Sequence, residues 1–95
     1  MKVIWTRPAA RDLEAIQDYI ARDNPLAAYR LAQTVRQRTN HLADHPNIGR
    51  QGRVGGTREF VIIGTPYLVP YRVRGDQVEI LAVFHGARKW PESFK

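Results

Sequence analysis

The segment ILAVFHGARKWP, residues 80–91, sets a lone histidine, His85, at the end of an apolar run, with Arg88 and Lys89 just beyond it. Imidazole titrates near neutral pH, so a histidine fixed where a strand ends is suited to act as a general acid or base. The competing reading makes His85 the polar end of a small sheet, closing the last strand or touching a partner. The sequence holds no cysteine, which removes thiol nucleophiles, thiolate metal sites and disulfide scaffolds. His41 and His45 flank the end of a helical stretch, where a cationic side chain suits the helix dipole, and no metal is expected there. A second group of chemically useful residues lies in GRQGRVGGTR, residues 49–58, where Arg50, Arg53 and Arg58 stand in a Gly-rich run with no acid among them. That composition predicts a mobile cationic loop. It lacks the phosphate-loop spacing and does not open onto a helix, so nucleotide binding is discarded.

The elements that must position these groups are legible in the apolar periods. KVIWT, residues 2–6, is β-branched and aromatic, as a strand requires. Pro8 suits the first turn of a helix, and Ala9, Leu13, Ile16 and Ile20 follow at helical spacing. Asp12, Glu14 and Asp18 fall off that stripe, the acids near its start suiting the helix dipole. Asn24 and Pro25 then cap and open a second helix with the stripe Ala28, Leu31, Ala32, Val35 and Leu42, and Pro46 and Gly49 end it. Three strands follow at 58–63, 67–75 and 77–85, with Arg74-Gly75-Asp76 as a tight hairpin turn. Tyr67, Val69, Tyr71 and Val73 share one face of the middle strand; Val78, Ile80, Ala82 and Phe84 share one face of the last. Pro70 cannot donate to a ladder, so its nitrogen should face outward or sit at a bulge. The expected architecture is α+β, in the order β-α-α-β-β-β: a helical hairpin packed on one face of a mostly antiparallel four-stranded sheet.

Ninety-five residues make one domain, with a core but no deep enclosed cofactor cavity. The N-terminal stretch turns polar within a few residues and no apolar run approaches membrane length, so a cytoplasmic protein without membrane contact is expected. Fifteen Lys and Arg against nine Asp and Glu give a net charge of +6, which draws the chain toward polyanions or an acidic protein.

Five pieces in order carry a resemblance to a known family: W-T-x-x-A-x-x-D-L from Trp5 to Leu13, HP-x-x-G from His45 to Gly49, R-E-F-V from Arg58 to Val61, Y-L-V-x-Y-R-V from Tyr67 to Val73, and I-L-x-V-F-H-G-A-R with Trp90 nearby. Together they span essentially the whole chain, which resembles the ParE/RelE superfamily of toxins from type II toxin–antitoxin modules. The superfamily divides by activity. RelE-like members cut messenger RNA on the ribosome with basic residues on the sheet and, in several branches, a C-terminal Tyr or His. ParE-like members act against DNA gyrase and have no established hydrolytic site.

Cleavage through a 2′-OH needs proton transfer and cations around the phosphate, where negative charge grows. Threading on the shared turn before the middle strand places Glu59, Val61 and Leu68 where RelE-type chains carry their cations. One acid and two aliphatics cannot stabilise that charge, and alternation sends Arg58 and Glu59 to opposite faces. The resemblance therefore implies the ParE-like branch: no catalytic residue, no cofactor and no metal, DNA gyrase as target, and a cognate ParD-like antitoxin in a toxin–antitoxin hetero-oligomer. The alternative is a RelE-like, ribosome-dependent mRNA endonuclease working through His85, Arg72 and Arg88. On the favoured reading Arg50, Arg53, Arg58, Arg88 and Lys89 contact the target. Trp5, Leu13 and Tyr19, left partly open at the rim of the helical hairpin, contact an acidic amphipathic segment of the antitoxin that folds as it binds.

Overall fold

The computed structural model describes residues 1–87, 91, 93 and 94. Strand β1 (Lys2–Trp5) leads into helix α1 (Arg7–Ala21), helix α2 (Pro25–Asn40) and a 3-10 turn (His41–Ala43). Five more strands follow: β2 (Arg50–Gln51), β3 (Arg58–Val61), β4 (Tyr67–Arg74), β5 (Gln77–Ile80) and β6 (Phe84–His85). The sheet order is β1-β5-β4-β3-β2, with β6 beside β4. Among the described strand pairs only β1–β5 is parallel.

Local chemistry accounts for the boundaries. Thr6 caps α1: its Oγ1 accepts from Ala9 N–H at 3.3 Å and donates to the Ile80 carbonyl at 2.7 Å, tying the helix start to the sheet. Asn24 caps α2 as expected, its Oδ1 accepting from Ala27 N–H at 3.1 Å. Arg74 lies opposite Gln77, so the β4–β5 hairpin turns in two residues, with Gly75 taking a φ of 61° that suits glycine. Both helices lie on one face of the sheet. Leu13, Val35, Leu42, Ile62, Val69, Tyr71, Val78, Ile80 and Val83 form the buried core between the layers.

The architecture is the expected one, with six strands among the described residues in place of four. One addition is β2, which pairs Arg50 with Glu59 and Gln51 with Arg58 inside the run read as a mobile loop. The rest of that run folds on itself. Gly52 N–H donates to the Thr57 carbonyl at 2.8 Å, the Thr57 hydroxyl donates to the Val54 carbonyl at 2.6 Å, and Val54 is buried.

The other change divides the last strand. Tyr71 lies opposite Ile80, whereas Leu68 lies opposite Phe84, so residues 81–83 stand across from only two residues of β4. This is a bulge, and Pro70 sits at it. Leu81 N–H donates to the Pro70 carbonyl at 2.9 Å, so the proline nitrogen, which lies on the same side of the strand, also faces the bulge. The extra residue flips the faces beyond it. Val83 joins Val78 and Ile80 in the core, while Phe84, opposite Leu68, lies on the far face; Ala82 and Phe84 therefore do not continue the Val78–Ile80 stripe.

Candidate functional site

The two faces of the sheet separate the candidate residues. Register places Tyr67, Val69, Tyr71, Arg58, Phe60 and His85 on the helix side, and Glu59, Val61, Leu68, Pro70, Arg72, Glu79 and Phe84 on the face away from the helices, where Phe94 stacks on Phe84 and Leu68 and Pro70 are buried.

His85 ends β6 at the mouth of a cavity of about 330 Å³ between α1 and the sheet, which Asp12, Ile16, Tyr19, Tyr67 and Val83 also line. The imidazole is exposed, meets Tyr67 edge-on at 5.8 Å, and accepts at Nδ1 from Ala87 N–H at 3.2 Å. Its local hydrogen bond holds the turn that follows the strand. Asp12 was expected to act on the helix dipole, but it lies beyond the first turn of α1. Its Oδ2 instead accepts from Val83 N–H at 3.0 Å, pinning the bulge to the helix. No sequence signal marks this contact, because the two residues are distant in the chain and neither the bulge nor its orphan amide is visible there.

Arg72 lies on the opposite side of the sheet from His85. Its Nε donates to Glu79 Oε1 at 2.6 Å, and Arg74 lies 3.8 Å from the same oxygen. The Arg72 hydrogen bond, with the two guanidinium charges, holds the Glu79 carboxyl below the usual carboxylate range. His85 and Arg72 are thus not brought together, and Arg88, Lys89 and Trp90 lie outside the described residues.

Glu59 lies on the face away from the helices, between Arg50 of β2 and Pro70 of β4. The residue is 2% exposed, yet its carboxylate is fully engaged. Oε1 accepts from Arg50 Nη2 at 3.0 Å and Nε at 3.3 Å; Oε2 accepts from Arg53 N–H at 2.8 Å, with Arg53 Nε at 3.7 Å. A buried carboxylate is tolerated only with such partners. The arginine loop is therefore not free of acid: Arg50 and Arg53, though about half exposed, converge on the residue that immediately follows Arg58. Arg58 turns to the helix side and donates from Nη1 to the carbonyls of Gly49 at 2.8 Å and Asn47 at 3.2 Å. The structure joins Arg50 with Arg53 and separates Arg58 from both. Replacing Glu59 by Gln should cost roughly 1–3 kcal/mol, since it weakens contacts of a buried carboxylate to one backbone amide and two guanidiniums. Hydrogen exchange of residues 50–57 should accelerate; unchanged exchange would show that the carboxylate does not hold the loop.

Of the three residues assigned to a partner, Tyr19 is 66% exposed at the lip of the cavity. Trp5 is half-buried against the core, with the Arg36 guanidinium 4.9 Å above its ring in a cation–π contact. Leu13 is fully buried in the core and offers no surface, which corrects its place among the rim residues. Among the described residues no three His, Asp or Glu side chains are grouped to hold a metal, and no helix is long and apolar enough to cross a membrane.

The family described as the ParE toxin of the type II toxin–antitoxin system, parDE, matches residues 3–90. The chain is 42% identical over 91 residues to the putative toxin Y4kP of Sinorhizobium fredii, covering 96% of this chain and 94% of that protein. It is 39% identical over 87 residues to Toxin RelE2 of Caulobacter vibrioides, covering 92% and 97% of the two. A solved structure of the chromosomal ParDE TA system from P. aeruginosa contains a chain with a TM-score of 0.82 and 31% identity, covering 90% of this chain and 95% of that one. The pairing of an α1–α2 hairpin with this sheet, and the motifs along it, place the chain in the ParE toxin family of type II toxin–antitoxin systems.

Proposed function

We propose that this chain is a gyrase-directed toxin that acts in the cytoplasm by binding and performs no hydrolysis, and that a cognate ParD-like antitoxin neutralises it in a hetero-oligomer. The observation that carries this reading is Glu59. At a position where RNA cleavage would need a cation, the sheet face away from the helices holds a buried carboxylate whose charge is already matched by Arg50 and Arg53. The proton-transfer candidate His85 stands on the other side of the sheet, away from Arg72. Binding requires no such convergence. The cations Arg50 and Arg53, with Arg58, Arg88 and Lys89 as further target contacts, act through their summed field.

The test is a purified gyrase assay with supercoiled plasmid, run with and without the antitoxin. Toxin alone should accumulate linear, cleaved plasmid, and antitoxin should suppress it. The name of the relative Toxin RelE2 favours a second reading, the mRNA endonuclease. Transcripts cut on translating ribosomes, with gyrase unaffected, would establish that one instead.

The same pair of assays decides the role of His85. A general acid or base contributes roughly 10²–10⁴-fold, so His85→Ala in a nuclease would collapse activity. In a binding toxin it leaves gyrase inhibition within about threefold of the parent, well below that range. Abolished killing by a folded, antitoxin-competent His85→Ala protein would overturn the binding mechanism.

A further inference from the structure

One edge of the sheet ends early. Strand β2 pairs with β3 only at Arg50–Glu59 and Gln51–Arg58. It stops because the chain before it turns inward: Gly49 N–H donates to the buried Tyr71 hydroxyl at 2.9 Å, beneath the sheet. Beyond that point no other described strand pairs with the outer side of β3. Ile62 N–H donates to the Tyr67 carbonyl, so alternate residues of β3 turn their backbone groups toward β4 and Glu59 and Val61 turn theirs outward. Glu59 meets β2. Val61 faces outward past the end of it.

The side chains there are apolar and open. Ile48, Val61 and Ile63 are 60%, 41% and 72% exposed, and with Arg50 and Phe60 they line a shallow depression of about 300 Å³. An exposed strand edge flanked by uncovered aliphatic side chains is a ready template for an added strand. The surrounding charge selects the occupant. Arg50 lines the depression, and Arg50 and Arg53, each about half exposed, bring two guanidiniums to the carboxylate of Glu59 beside it. A second copy paired about a two-fold axis would set two such cationic clusters against each other. An acidic segment would meet them favourably.

We propose that the outer edge of β3 at Val61, with the Ile48–Val61–Ile63 depression, receives a short extended segment of the antitoxin. That segment adds a strand past the end of β2, places an aliphatic side chain in the depression and sets a carboxylate near Arg50 and Arg53. This site is separate from the α1 surface at Tyr19, and it rests on the reading of the chain as an antitoxin-held toxin.

Hydrogen exchange on the purified toxin–antitoxin complex and on the free toxin tests it. Residues 60–63 should exchange more slowly in the complex, and Ile63→Lys, at an open position, should weaken antitoxin binding roughly tenfold to a hundredfold while the toxin melts normally. Val61→Lys should do the same, with binding more sensitive to salt than in the parent. A complex that forms but protects only the helices, with unchanged affinity for both variants, overturns the edge site and leaves the toxin reading intact. Failure of any complex to form overturns both. Protection of residues 60–63 in the free toxin that rises with its own concentration assigns the edge to a second copy and likewise overturns the proposal.

Discussion

Gly49→Ala should lower the melting temperature of this chain by roughly 12 °C or more, the equivalent of about 3 kcal/mol in a domain of this size. A methyl at position 49 would lie 2.6 Å from both Cε1 and the hydroxyl of Tyr71 and 2.9 Å from the Glu59 carbonyl. None of these neighbours gives way cheaply. Tyr71 is fully buried, and the Glu59 carbonyl belongs to the backbone beside the Arg50 pairing. The same tyrosine ties the segment before β2 to the sheet, accepting from Gly49 N–H at 2.9 Å and donating to the Pro46 carbonyl at 2.7 Å.

Tyr71→Phe removes both bonds and strands two backbone groups, at roughly 1–3 kcal/mol. Because the two substitutions disturb one contact, the double variant should lose less than the sum of the singles. Burial pushes the Tyr71 hydroxyl above its ordinary value of 10.0. Its neutral form is the one the fold favours, so this contribution is present below pH 10 and is lost as pH rises through the folded-state value. Tyr71→Phe should therefore show a shallower alkaline loss of stability than the parent. A Gly49→Ala protein that melts within about 2 °C of the parent would refute the tight packing at this site.

Gly49 shows why part of this molecule was legible in its sequence and part was not. The helical hairpin could be read because its signals are local: Asn24 and Pro25 open α2, and four-three-four spacing places Ala9 and Leu13 on the buried stripe. Gly49 itself reads only as a helix stop. Its second role, admitting the Tyr71 ring, depends on a residue 22 positions away.

The arginine loop failed for a similar reason. Counting acids within GRQGRVGGTR stops at Arg58, one residue short of Glu59, and only the β2–β3 register brings that carboxylate under Arg50 and Arg53. In the last strand the run ILAVF has five consecutive apolar residues, so alternation there cannot report a slip of one. Pro70 was the clue that something breaks the ladder. The bulge opposite it puts Phe84 on the far face and His85 beside Tyr67. In the sequence, only the residue types at Glu59, Val61 and Leu68 speak against a nuclease; the separation of His85 from Arg72 is visible in the register alone.

The second large effect separates core from contact along α1, where sequence reasoning gave Leu13 and Tyr19 the same task. Leu13→Ala should cost about 2–5 kcal/mol, because its side chain is fully enclosed and its removal leaves a cavity between α1 and the sheet. Tyr19→Ala should leave stability within about 0.5 kcal/mol of the parent, since its ring is mostly exposed. Antitoxin binding should respond in the opposite order. Tyr19 stands at the lip of the cavity shared with Ile16 and Tyr67, so an apolar anchor from the antitoxin would bury against its ring. Truncating it should weaken the complex by roughly tenfold or more. Leu13→Ala, measured well below its lowered melting temperature, should bind the antitoxin nearly as the parent does, because no part of Leu13 reaches the surface. Thermal melts paired with titrations of antitoxin into each variant make the comparison. Parental affinity in Tyr19→Ala would remove this end of α1 from the antitoxin interface. A Leu13→Ala protein that melts normally yet fails to bind would contradict the burial of Leu13 and restore it as a contact residue.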